Sequence, residues 1–166
     1  MVSTRSRINR IFMLAAGAVG LGAALSAAAA DSITVPVTAT VIGVCKFNTA
    51  STMNIANSGT NIDPNEAGPA TGTSNVVYRC SNGTTPTFTI GGAVVTGRTV
   101  ALTDGSSGNM TATLSAGSVS QGTGMGAGQT KTFVITGTIV KAAGSGGYED
   151  APVGPYTGSF LLDVNP

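Results

Sequence analysis

Residues 33–41 read Ile-Thr-Val-Pro-Val-Thr-Ala-Thr-Val, an unbroken alternation of apolar and polar positions. Ile33, Val35, Val37, Ala39 and Val41 fall on one face, and Thr34, Pro36, Thr38 and Thr40 on the other. That period of two belongs to a β-strand with one buried side, not to a helix. Pro36 brings no N–H, so a ladder through this segment lacks one hydrogen bond on one side. The position is unusual, because a chain end frays unless something holds it. A wholly apolar face has to be buried somewhere. Two readings follow: the segment is the first strand of its own sandwich, or it completes a sheet in another chain.

Downstream, the same alternation recurs and amphipathic helical spacing does not. Thr52 to Ala56 is expected to form a short strand, followed by a turn-rich stretch from Asn57 to Gly72 with breakers at Asp63-Pro64 and Gly68-Pro69. Strands are expected from Asn75 to Cys80, around Phe88 and Ile90, around Val100 and Leu102, over Met110, Ala112 and Leu114, and from Gln129 to Val140. A last one begins after Pro155, with Tyr156, Phe160, Leu162 and Val164 on one face. The Gly-rich stretch from Gly117 to Gly128 reads as a mobile loop. Seven or eight short strands separated by turn signals indicate an all-β sandwich of Greek-key type.

Upstream of Asp31 the pattern is different. Arg5, Arg7 and Arg10 precede an apolar run from Ile11 to Leu25, and small residues from Ser26 to Ala30 end it. This is the layout of a cleaved export signal over residues 1–30, with cleavage before Asp31. The rival reading, a permanent anchor, has the length to span a bilayer. It lacks a charged flank that stops the run, and the run itself is rich in Ala and Gly. Cleavage leaves 136 of the 166 residues, the size of one domain, with no transmembrane segment. Five cations (Lys46, Arg79, Arg98, Lys131, Lys141) then face seven acidic residues, a net charge of −2. A basic footprint for nucleic acid is absent. Cys45 and Cys80 are the two cysteines, and in an oxidising compartment they are expected to pair. On the chain-entropy model that staple contributes roughly 3–4 kcal/mol.

Catalytic and ligand-binding patterns are weak. The chain contains no histidine, and both cysteines are committed to the expected bridge, so neither an acid–base group nor a metal set presents itself. Glu149-Asp150 is the one adjacent carboxylate pair, and it follows Gly146-Gly147-Tyr148 as a loop would. Gly122-Thr-Gly124-Met-Gly126-Ala127 matches a dinucleotide fingerprint only formally, without the βαβ frame. The run from Asp63 to Gly68 imitates part of a calcium loop but lacks a ligand at its fifth position and a closing Glu. Asn82-Gly-Thr84 and Asn109-Met-Thr111 are glycosylation sequons by form, read as chance in a Thr-rich chain. The expectation is a protein that is not an enzyme and uses no cofactor or metal.

The run into Val41-Ile-Gly-Val-Cys45, the segment Val76-Val-Tyr-Arg-Cys-Ser-Asn-Gly-Thr84, the stretch from Gly122 to Thr130, and Gly154-Pro-Tyr-Thr-Gly-Ser-Phe160 resemble the spore coat protein U family, which includes the archaic chaperone–usher pilins. Gly158 departs from that pattern, where a polar or acidic residue is the family habit, and the tail from Asp163 to Pro166 is less regular. The resemblance implies an immunoglobulin-like Greek-key sandwich that lacks its final strand and is completed by donor-strand exchange. Residues 31–43 would be the donor, through Ile33, Val35, Val37, Ala39 and Val41, and residues 44–166 the single pilin domain. Tyr156, Phe160, Leu162 and Val164 would edge the acceptor groove. The implied partners are other pilin subunits in a homo- or heteropolymer, a periplasmic chaperone and an outer-membrane usher, with the product exported through the periplasm to a surface fimbrium. Two alternatives stand beside it: a self-complete secreted sandwich in a surface or spore-coat layer, and a tip adhesin module that binds through its Gly-rich loops.

Overall fold

The residues from Ala70 to Cys80 alternate strictly, with Ala70, Gly72, Ser74, Val76, Tyr78 and Cys80 turned inward, and this strand organises the molecule. The computed structural model describes residues 32–144 and 146–166; the expected leader, residues 1–30, lies outside the described residues. By internal contacts the chain divides into Met1–Thr38 and Ala39–Pro166, and the sandwich belongs to the second unit.

Among the described residues eight strands form: β1 Cys45–Ala50, β2 Ala70–Cys80, β3 Thr87–Ile90, β4 Ala93–Val94, β5 Thr99–Thr103, β6 Asn109–Ala116, β7 Lys131–Ile139 and β8 Asp163–Asn165. All pairings between these strands are antiparallel. A five-stranded sheet has the order β1-β2-β7-β6-β5, and a three-stranded sheet the order β4-β3-β8. The fold is thus an all-β sandwich. Its layers meet where Phe88 of the smaller sheet stacks on Phe133 of the larger, with centroids 4.1 Å apart and planes at 7°, while Tyr78 meets Phe88 edge-on at 4.9 Å. Val76, Val95, Leu114 and Ile135 close that core. Such stacked and edge-on aromatic contacts add to simple area burial.

The inner face of the large sheet is longer than its three-stranded cover. The lower half, with Ala70, Met110, Ala112 and Ile139, is covered by loop residues, among them Ile55, Ile62, Tyr148 and Tyr156. The division between the halves falls at Gly72 and Gly137, which face each other across β2 and β7. A Cβ at Gly72 would fall on the Asn54 carbonyl, and one at Gly137 would lie 2.6 Å from Met53 Sδ. Two glycines in strand interiors therefore cut a notch through which residues 53–55 cross the sheet.

Several expectations need correction. Residues 33–41 form no strand within their own chain, against the reading of them as its first strand, and Ile33, Val35, Val37 and Val41 are 72–89% exposed. A single extended segment without a ladder partner has no hydrogen bonds to hold it as a strand. β2 begins at Ala70, five residues earlier than Asn75, because small residues with weak hydropathy pair in register with Ile139 to Ile135 of β7. Thr52 to Ala56 is not a strand; Ala56 makes one isolated bridge, to Thr71. The last strand shrinks to Asp163–Asn165: Thr157 bridges to Thr103, and residues 158–162 belong to no strand or bridge. The loop 117–128 is tied down. Gly122 N donates to Thr84 O at 2.8 Å, Gly124 N to Cys80 O at 3.0 Å, and Tyr78 Oη to Ser120 O at 2.7 Å.

Candidate functional site

Each sheet ends on an edge strand supplied by one end of the sandwich unit. Among the described residues β1 pairs only with β2, so its outer edge carries no ladder, and β8 pairs only with β3. Between β1 and the unpaired stretch 158–162 lies a cleft of about 570 Å³. Phe47 and Met53 form one wall, Phe160 and Leu162 the other, and Val76 and Ser74 of β2 the floor. Asn48 and the small hydroxyls of Thr49, Ser51, Thr52 and Ser159 add polar groups beside these apolar side chains. The Ser74 hydroxyl is itself satisfied, donating to Ser51 O at 2.6 Å.

A second cavity of about 530 Å³ opens beside the first, and Met53 lines both. Ile55, Leu102, Met110, Ile139, Tyr148 and Tyr156 line it. Tyr156 donates its hydroxyl to Pro152 O at 3.0 Å. Desolvation and, to a lesser degree, the Asp104 carboxylate raise its phenol above the ordinary value, so it stays protonated across the physiological range. Tyr148 is buried, and its hydroxyl donates to Gly68 O and receives Asn57 Nδ2 at 3.1 Å, which locks the loop 57–68 over the sheet.

The residues singled out in the sequence divide as follows. Phe160 and Leu162 border the first cavity and Tyr156 the second. Val164 borders neither; it sits on β8 opposite Phe88 and packs into the core. The inward alternation of Tyr156, Phe160, Leu162 and Val164 is present although most of the strand is not, with Leu161 77% exposed between them. Cys45 and Cys80 are disulfide-bonded across the β1–β2 pair, where they are direct register partners. Ser81 N donates to Val44 O at 2.9 Å just beyond the bridge, so the body is fastened where β1 begins. The opposite wall, Phe47 and Met53, was missed from sequence. Cys45-Lys46-Phe47 does alternate, but only for three residues before the polar run Asn48-Thr-Ala-Ser-Thr52 hides it.

The stretches with ligand-like patterns serve local structure. Asp63 Oδ1 accepts Asn65 N at 2.8 Å, and Asp63 N donates to Asn57 Oδ1 at 2.7 Å, which closes a turn. Asp150 Oδ2 accepts Gly144 N at 3.3 Å in an exposed bend. Among the described residues no three His, Cys, Asp or Glu side chains converge as a metal set, and no helix is long and apolar enough to cross a membrane. Comparison with protein-family models, with curated proteins and with solved structures finds no match for this chain.

Proposed function

We propose that the chain is a structural subunit of a surface fibre, in which the cleft between β1 and residues 158–162 receives the segment 33–41 of a neighbouring copy or a related subunit. The observation that carries this reading is the coexistence of a cleft with apolar walls, flanked by a strand edge without a ladder partner among the described residues, and an exposed, strictly alternating apolar segment. Each supplies what the other lacks: ladder partners for the segment, and apolar side chains for the cleft. Strand addition to an open edge takes affinity from main-chain hydrogen bonds and specificity from alternate side-chain pockets. The outer edge of β1 is the source of the first in this reading, and the facing walls, Phe47 and Met53 on one side and Phe160 and Leu162 on the other, of the second.

An open apolar edge is an aggregation hazard during export. The proposal therefore includes a periplasmic chaperone that shields the cleft and an outer-membrane usher that exchanges it for the next subunit. The leader at residues 1–30 and the bridged cysteines fit that route. The test is intermolecular trapping in the exported chain. Copies carrying Val37→Cys are mixed with copies carrying Ser159→Cys and oxidised. Mixed-disulfide dimers and longer products support strand donation. A monodisperse monomer without cross-links refutes it and favours a self-complete surface sandwich.

A further inference from the structure

Charge is sorted along the strand direction of the sandwich. The register fixes two ends of the large sheet: Cys45, Cys80 and Lys131 at one, Ala70, Ile139 and Asn109 at the other. The 11 residues of β2 separate them, about 33 Å at the rise of an extended strand. Lys46, Arg79 and Lys131 stand at the first end, and the neighbouring loops 81–86 and 117–130 contain no charged residue. Among the described residues Asp163 on β8 is the one carboxylate in that half, while Arg98 stands level with Gly72, where the halves divide: Leu114 N donates to Arg98 O, and Leu114 faces Gly137. At the second end lie Asp63, Glu66, Asp104, Glu149 and Asp150. Their loops lead into β2, join β5 to β6, and return after β7, where Glu149 N donates to Ala142 O. Among the described residues Lys141 is the single cation there, and it donates to the Glu66 main-chain carbonyl at 3.1 Å.

A second feature points the same way. Lys46 and Arg79 are direct cross-strand partners, a like-charge pair that works against the isolated sheet. Arg79 Nε is buried without a hydrogen-bond partner, although its guanidinium reaches Met125 O through Nη1 at 3.1 Å. An anionic surface laid on this end relieves the repulsion, and the chain carries such a surface at its own far end.

We infer that the two ends are a complementary pair, and that the cationic end of one copy stacks on the acidic end of the next. Such a contact is heterologous, so repetition leads to an open filament, not a closed dimer. The segment 39–44 enters β1 at the cationic end, so stacking and strand donation would involve the same face. The inference is nevertheless independent of strand donation, since it rests only on residues of the sandwich.

The test uses the full mature chain in a Val37→Asp background, which removes strand donation from the readout. One variant adds Lys46→Glu and Lys131→Glu; the other adds Glu66→Lys and Glu149→Lys. Sedimentation is followed at about 20 mM and 500 mM salt, where the screening length falls from roughly 20 Å to about 4 Å. The Val37→Asp parent is expected to self-associate at low salt and to weaken about tenfold or more at high salt. Each charge variant alone stays monomeric. Their equimolar mixture forms dimers and stops there, because each variant retains one intact end. Lys46→Glu by itself is the control for folding: the residue is exposed, its new carboxylate faces Arg79, and the variant should weaken association without lowering the melting temperature. A parent that is monomeric or indifferent to salt overturns the inference, as does a mixture that behaves like its separate components.

Discussion

A carboxylate placed at the centre of the exposed apolar segment, Val37→Asp, separates a donated strand from an internal one. Val37 is 88% exposed within its own chain, so the substitution removes no burial there, and an exposed change of this kind shifts stability by no more than about 0.5 kcal/mol. In a neighbour's cleft the account is different. Loss of the valine burial costs roughly 1.5–3 kcal/mol. Desolvating an ionised carboxylate between walls such as Phe47, Met53, Phe160 and Leu162 adds a further cost of several kcal/mol. A combined loss of at least about 4 kcal/mol weakens donation by roughly a thousandfold. The assay pairs two measurements on the exported chain: thermal melting, and size distribution by sedimentation at about 500 mM salt, where stacking of the charged ends is screened. Unchanged melting with short or absent polymers is the expected result, and Thr38→Ala, on the opposite face, should polymerise normally. If Val37→Asp unfolds the isolated chain, or leaves polymer length untouched, the segment is not a donor.

Other outcomes follow from the packing. Cys80→Ser opens a bridge with a separation of 35 residues and should lower stability by roughly 3–4 kcal/mol in chemical denaturation, with Cys45→Ser doing the same. Gly72→Ala puts a methyl group on the Asn54 carbonyl, so residues 53–55 must move out of their notch; a loss of about 1–3 kcal/mol is expected, and an unchanged midpoint would contradict the close approach. Phe133→Ala removes the ring stacked on Phe88 and should cost about 3–5 kcal/mol, with loss of near-ultraviolet dichroism before far-ultraviolet signal.

Strand identity was legible wherever large apolar residues alternate. Val76, Tyr78 and Cys80, then Phe133, Ile135 and Ile139, marked the inner face of the large sheet because each buries enough area to impose a period of two. Ala70 to Ser74 gave no such signal: alanine, glycine and serine are pulled into a strand by the ladder with β7, a long-range pairing that local hydropathy does not encode. Gly72 and Gly137 read as weak points of two strands, and only their juxtaposition reveals the notch that admits residues 53–55.

For the candidate site, composition and alternation by themselves determined an all-β chain, a pair of cysteines fit to bridge, and two one-sided apolar rows, at 33–41 and at 156–164. Those are properties of short segments, set by side-chain periodicity. Tertiary structure decided what the rows do. It left 33–41 outside every strand and 158–162 outside every ladder, and it opened a cleft by bringing Phe47 and Met53 opposite Phe160 and Leu162, more than a hundred residues away. An edge is free or occupied according to which strands are its neighbours, and neighbours in a sheet are fixed by register across the whole fold, not by the sequence of the edge itself.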